Sequence, residues 1–411
     1  MTQTDHAWGA GPSAEYDTLA DRFRFVFVRI AAGAVERERK RILPVEPIGW
    51  LKEAGFTRIR LPKAEGGLGA SLSDVFALLI ELSQADSNVT QALRAHLGFV
   101  EDIMNLKSGP RRSVWTSRIA GGETIGSAWT EIGDAPLDGF ATRVTQRGET
   151  QTLNGAKYYT TGSLFADWID IGATRDDDGE TVAVTIRRDT PGVTVIDDWD
   201  GFGQIGTASG TATFNDVALK NEDLVREDGR FGYSPAFYQL VHLATLAGIG
   251  RAMADEIAQA VASRRRTYSN AAALQSSADP QVLQVVGKVR GAAYAASAIV
   301  LQVARALDRA FEAGQNDDDV AIQRAIDTAE LETCQALPVV SSLILEASTV
   351  LFDAVGASAT KKTLALDRHW RNARTISSHN PRIYKDRIVG DYAVNGTPPP
   401  EQWQIGVAKP A

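Results

Sequence analysis

The sequence predicts an α+β protein. Apolar residues recur at helical spacing towards both ends of the chain, as in DRFRFVFVRIAAGAVERERKR and SDVFALLIELSQADSNVTQALRAHLGFVEDIMNL. Between them the chain breaks into short alternating runs such as ETIGSAW, TQTLNG, WIDIGATR, TVAVTIRR and GTATFNDV. Helices and strands segregated in this way indicate α+β rather than α/β architecture. The 411 residues suffice for a large core. The changes of texture put an N-terminal helical domain at residues 1–122, a central β-barrel or sandwich at 123–230 and a C-terminal four-helix bundle at 231–411.

Local signals punctuate these blocks. Glu36 to Arg41 reads as a solvated helix face. Pro62 and Gly66-Gly67-Leu68-Gly69 interrupt the helical period and allow tight turns. Asn154-Gly155, within LNGAKYYTTG, is a two-residue hairpin signal, because both positions tolerate positive φ. After Phe231, Ala- and Leu-rich helices are broken at Ser276 to Pro280 and at Gly314 to Asp319.

Composition removes several function classes. With 44% hydrophobic and 23% charged residues the chain has an ordinary globular make-up. A formal net charge of -8 argues against nucleic acid and against an anionic membrane, which usually meet a basic face. The first residues carry no basic and apolar leader, and no later run is expected to span a membrane, so a cytoplasmic location is expected. Cys334 is the single cysteine, which excludes an intrachain disulfide. His6, His96, His242, His369 and His379 lack metal-ligand spacing, and no metal is expected.

Two familiar motifs fail on context. Gly201 to Gly206 fits G-x-G-x-x-G, but it precedes a strand where a dinucleotide fingerprint must open a helix. GASATKKT lacks the second Gly of a phosphate loop and sits in a helical region. No G-x-S-x-G elbow is present, and Cys334 has no His near it in sequence, so nucleophilic hydrolysis has no support.

Four segments remain: Pro62 to Gly69, Ser127-Ala128-Trp129-Thr130-Glu131, Leu153 to Gly162, and FGQIGTASGTATFNDV from Phe202 to Val217. In order and spacing they resemble the P-E-x-x-G-G-x-G, V-T-E-P-G, NGxKxWITNG and G-x-R-x-S-x-x-x-x-x-F-x-x-V segments of the acyl-CoA dehydrogenase superfamily, and the resemblance implies its fold over essentially the whole chain. In most such dehydrogenases a Glu removes an α-proton as hydride leaves for the flavin. The matching window here, Arg374 to Pro381, holds no Glu, and the second known location, near Gln239-Leu240, holds no carboxylate. The tail from Asp367 to Gly396 instead resembles the dibenzothiophene monooxygenase branch, flavin-dependent oxygenases on the same fold.

That resemblance implies a homotetrameric, two-component monooxygenase. A separate reductase supplies reduced flavin, FMN with FAD as the second option, which reacts with O2 to a C4a-hydroperoxyflavin and oxygenates a small organic, possibly organosulfur, substrate. It also implies catalytic roles for His96, His379 and Thr161, with Thr161 beside flavin N5. Ser127, Trp129, Thr130, Tyr159 and Thr161 would contact the flavin, and Arg266 its phosphate. Plainer alternatives exist: His96 as a satisfied core residue, Tyr159 as a strand aromatic, and Arg266 as one charge of a solvated triplet with Arg264 and Arg265. His379, in a Ser-Ser-His-Asn-Pro turn, is ill placed for core packing. Ser358 and Ile376 stand where the sulfur-oxidising relative has a second phosphate Arg and a second His, which weakens FMN as the cofactor and points to a different substrate. Two other readings stay open: an acyl-CoA dehydrogenase or nitroalkane-type oxidase with Asp386 or Asp391 as base, and a catalytically silent binding subunit.

Overall fold

The computed structural model describes residues 8–132, 139–148, 150–226 and 230–400. His6 lies outside the described residues. The N-terminal block comprises α1 (Tyr16–Lys40), α2 (Val45–Ala54), α3 (Leu72–Ala85), α4 (Ser87–Ala92), α5 (Arg94–Asn105) and α6 (Pro110–Ala120). Phe23, Phe27 and Phe56 pack edge-on to seat α1, and the Ser71 hydroxyl caps α3 by accepting from Asp74 N–H. The charged run at the end of α1 is only partly solvated. Lys40 pairs with Glu36 in solvent, one turn back, whereas Arg37 reaches the buried Asp86 at 2.8 Å and buried Glu38 receives Arg371 at 2.6 Å. A helix turns about 100° per residue, so six consecutive charges cannot all face water.

The middle block is β1 (Ile125–Ala128), β2 (Arg143–Arg147), β3 (Thr150–Lys157), β4 (Trp168–Arg175), β5 (Thr181–Arg187), β6 (Val193–Val195), β7 (Ala212–Leu219) and β8 (Leu224–Arg226). The expected barrel or sandwich takes the form of one eight-stranded sheet, ordered β6-β7-β3-β2-β4-β5-β8 with β1 added beside β4. β1 and β2 run parallel to β4 and occupy successive lengths of it, at Trp168 to Ile171 and at Thr174 to Arg175. Leu153, Ile169, Ile171, Val182, Val184 and Phe214 form its core.

Asn154-Gly155 is not the hairpin turn. Both residues lie inside β3, where the register against β7 shifts between Leu153 and Gly155. Asn154 exchanges two hydrogen bonds with Asp216 across this bulge, and Gly155 adopts φ 149° with Thr142 pressed against it. The sequence pair that favours a turn serves equally for a bulge, because both need a residue free of Cβ restraint.

The C-terminal block is α7 (Ser234–Ser263), α8 (Pro280–Gly314), α9 (Asp319–Val355), α10 (Asp367–Ser377) and α11 (Lys385–Asn395). The helix breaks fall where expected, with Asp279 and Asp318 capping α8 and α9. α7, α8 and α9 pack on one another, and α3 lies against both α7 and α8. The two helical blocks therefore share one apolar core. α7 is apolar nearly all round, from Leu240 to Ala254, and runs through its centre. The segment Asp319–Thr360 is long and apolar enough to cross a membrane, contrary to the expectation from sequence. Its apolar residues Val340, Ile344 and Leu351 lie in the shared core.

Gly155→Ala is expected to lower the unfolding free energy by about 2–4 kcal/mol, because a Cβ there meets the Thr142 backbone at 2.6 Å at a φ that L-residues rarely adopt. Denaturant titration checks this, and a loss below about 0.5 kcal/mol would show that the bulge relaxes freely.

Candidate active site

The turn that follows β3 is clamped from two sides. Tyr158 N–H donates to Thr130 O at 2.9 Å, and Ser163 Oγ donates to Ser127 O at 3.1 Å, so the end of β1 runs beside this turn. Gly162, at φ 81°, donates to Thr207 O, and a Cβ on it would lie 2.0 Å from Ala92 O at the end of α4. Backbone contact this close admits only glycine. Ser127, Trp129, Thr130, Tyr159 and Thr161 are thereby brought to one rim.

Each then has its own anchor. Trp129 Nε1–H donates to Asp170 at 2.7 Å and its ring lies under the Arg230 guanidinium. Tyr159 is no strand aromatic: it lies beyond β3 with φ 60°, 48% exposed, edge-on to Tyr158 and Trp199. Thr161 ends a chain of hydroxyls. Thr207 Oγ1 donates to Gln204 O at 2.8 Å, which leaves its oxygen to accept from Ser209. Ser209 then accepts from Thr161 at 2.7 Å. With one proton per hydroxyl, Thr161 gives its own away and presents lone pairs to the rim.

The helical side brings together residues that the sequence did not connect. His379, in the turn after α10, lies 4.3 Å from His242 of α7, centroid to centroid. His242 in turn meets the Gln91 amide of α4 at 3.4 Å. Arg94, at the start of α5, stacks on the Tyr238 ring and donates to the Tyr238 carbonyl. Enclosure by protein, together with the Arg94 cation, holds the His379 pKa below the ordinary histidine value although solvent reaches the ring. Burial, then the neighbouring His379 and Arg94, does the same to His242. Both imidazoles are neutral at pH 7. His242 was legible in principle, because it follows Gln239 by one helical turn on the same face.

His96 sits apart from this pair. It is 1% exposed, its Nε2–H donates to Thr57 O at 2.7 Å, and its Nδ1 accepts from Ile125 N–H at 3.4 Å. Both ring nitrogens are thus engaged by backbone, as in a satisfied core residue, and the imidazole ties α5 to β1 under the rim. Arg266 is also distant. It follows the end of α7, and at about 1.5 Å per residue His242 and that end are roughly 30 Å apart. It is exposed on an open cleft of about 530 Å³ shared with Arg264, Ser276 and Gly356, and its guanidinium has no partner among the described residues. Arg264 is occupied, donating to Arg266 O and Ala354 O. Ser358, in the turn after α9, adds no cation there.

These features fit a flavin. An exposed aromatic, an acceptor hydroxyl and a strand end line one rim, and a free guanidinium suits a phosphate. Among the described residues no cluster of His, Cys, Asp or Glu is arranged to hold a metal.

Residues 13–123 match the acyl-CoA dehydrogenase N-terminal domain and residues 240–381 its C-terminal domain. The chain is 27% identical over 384 residues to the probable FMNH2-dependent monooxygenase SfnC of Pseudomonas putida, covering 90% of this chain and 93% of that one. The FMN-bound structure of the dibenzothiophene monooxygenase TdsC from Paenibacillus sp. A11-2 superposes with a TM-score of 0.84 at 25% identity, covering 93% of this chain and 98% of that chain. The methanesulfinate monooxygenase MsuC of Pseudomonas fluorescens gives the same TM-score, identity and coverage.

Burial lowers the His96 pKa from 6.5 to about 4. Between those values the unfolded chain takes up a proton that the fold refuses, so stability is full above pH 6.5 and falls as pH drops towards 4. His96→Gln is expected to remove about 2 kcal/mol of the loss between pH 7 and pH 5, part of the roughly 3 kcal/mol that the full shift carries at lower pH. His242 and His379 leave a residual slope of the same sign. Denaturant titrations at pH 7 and pH 5 check this, and an unchanged difference between them would overturn it.

Proposed function

The chain belongs to the acyl-CoA dehydrogenase family, and from that premise we infer that it is a flavin-dependent monooxygenase that takes FMN in its reduced form and uses O2 to oxygenate a small organic substrate. The observation that carries this is the neutral His242–His379 pair, against which no carboxylate stands among the described residues. Removal of an α-proton needs a fixed base, and two imidazoles whose pKa is lowered by burial first and by nearby charge second are poor ones. Asp386 is exposed on α11 and Asp391 accepts from Asn395, so neither serves this junction as a base.

Reduced FMN, when bound, supplies the two electrons that activate O2 for transfer of one oxygen atom. Thr161 offers a lone pair, which suits the N5–H of reduced flavin and not the bare N5 of the oxidised ring. Trp129, Tyr159 and the backbone of Ser127 and Thr130 provide the surface on which the ring is oriented. His379, whose Nδ1–H is held at 3.4 Å by Asn380 Oδ1, gives its one neutral N–H hydrogen bond to the oxygen being transferred by releasing that contact, and His242 packs against its ring. Burial excludes bulk water on the His242 side, while the His379 ring is open to solvent, so a bound flavin and substrate would have to cover it. His96 acts here by fixing α5 to β1. Arg266 is too far along α7 to meet a flavin held beside His242 of its own chain, so its phosphate role belongs to the site of a second copy in a homotetramer. A separate flavin reductase and a cytoplasmic setting complete this reading.

Arg266→Ala should weaken reduced-FMN binding by about thirtyfold, the loss of one charge-assisted contact of roughly 2 kcal/mol, while exposed Arg265→Ala leaves it unchanged. Fluorescence titration under anaerobic conditions measures both, and equal effects would make the triplet a general basic patch. His379→Asn should fold and bind reduced FMN normally while product yield drops by about 10²-fold and peroxide release rises. Product yield equal to that of the parent protein would remove His379 from the chemistry.

A further inference from the structure

Among the described residues, Arg94 is a cation without a counter-ion. It is part-buried, donates only Nε–H to the Tyr238 carbonyl, at 3.4 Å, and stacks on the Tyr238 ring at 4.6 Å. Among the described residues no carboxylate lies within ion-pair distance of it, although its neighbour Arg230 is paired to Asp170 at 2.7 Å. Both Nη groups are left without an acceptor among the described residues. Burial and the Arg230 charge push the Arg94 pKa down to about 10, so it stays charged at neutral pH at a cost to the fold. Tyr238, on which Arg94 stacks, precedes His242 by one turn of α7, and Gln91, which meets His242, lies three residues before Arg94, which places the guanidinium at the same junction. A second, independent feature lies beside it. Gln91 is 4% exposed; its amide Nε2 meets His242, and its carbonyl Oε1, an acceptor, has no hydrogen-bond partner among the described residues.

A partly desolvated guanidinium with two nitrogens free among the described residues is a forked donor for a compact oxyanion, and the unfilled Gln91 Oε1 can accept only from an X–H group of the same ligand. Resting on the monooxygenase reading above, we propose that the substrate bears such a group, a sulfinate, sulfonate or carboxylate, which Arg94 receives in a forked contact beside the His242–His379 pair. The charge then orients the substrate, and the neutral imidazoles avoid competing with Arg94 for it. A neutral polycyclic substrate would leave the Arg94 charge unpaired on binding, which this site penalises.

Isothermal titration of the full chain with methanesulfinate, methanesulfonate, acetate and uncharged dimethyl sulfone tests the proposal, because these probes are of similar size and separate charge from shape. At least one anion should bind at least about tenfold tighter than the sulfone. Which anion is preferred identifies the group. Arg94→Met should abolish that preference and Arg94→Lys should restore part of it. Because no charged partner is orphaned and only a 3.4 Å contact to the Tyr238 carbonyl is lost, the Met variant should melt at or above the parent temperature. Tighter binding of the sulfone, an anion preference that survives Arg94→Met, or a lowered melting temperature from loss of a structural prop would each overturn the proposal. Anaerobic titration with reduced FMN on the same preparations separates the two readings. Failure of the parent chain to bind it would remove the monooxygenase reading and leave the anion preference standing. Loss of it in Arg94→Met alone would assign Arg94 to the flavin and overturn the proposal.

Discussion

Asp170 holds the sheet to the helical body, and the site depends on how its charge is spent. It is 4% exposed on β4, and its two oxygens take Trp129 Nε1–H, the Arg230 guanidinium and, at 3.4 Å, the Thr185 hydroxyl. A buried carboxylate is tolerated only when paired and hydrogen-bonded in this way. The same contacts lock Trp129 at the rim and bring Arg230 against the Tyr238 hydroxyl at the start of α7. One carboxylate is thus shared by an indole and one of two neighbouring arginines. The other arginine, Arg94, has only Tyr238 as its contact, and no carboxylate within ion-pair distance, among the described residues.

The rim is built by hydrogen bonds that have direction as well as length. Gln204 is buried at φ 53° and receives its backbone N–H partner from Asn372 of α10, so the loop that starts the hydroxyl chain is itself held by the helical block. From Gln204 O the proton order runs outward through Thr207 and Ser209 to Thr161. A hydroxyl is ambivalent in isolation, and a chain with one fixed end removes the ambiguity. The lone pairs that Thr161 presents are therefore set two hydroxyls away, at a carbonyl in a loop.

Several departures from the sequence reading have a common origin. Asn154-Gly155 carries the chemistry of a turn and is used for a bulge, because Asp216 on β7 supplies partners that a local pattern cannot reveal. Glu38 lies in a charged run and is buried because Arg371, far along the chain, arrives to pair with it. The apolar Asp319–Thr360 segment passes for a membrane span by length alone, and its core residues lie against other helices. Each outcome was decided by a partner distant in sequence.

By itself the sequence determined the order of helical, strand and helical blocks, the breaks that Asp279 and Asp318 cap, the family, and the lack of a carboxylate in the window around His379, since these depend on local periodicity, capping chemistry and residue identity. It also placed Ser127, Trp129, Thr130, Tyr159 and Thr161 on segments that the fold aligns along one rim. Only the tertiary structure decided which histidine faces His379. His96 and His242 both lie on buried helices, and the choice between them turned on Thr57 O and Ile125 N–H satisfying one ring while Gln91 left the other at the junction. The unpaired state of Arg94 was equally invisible, because a missing counter-ion is a property of every neighbour at once and is written in no single stretch of chain.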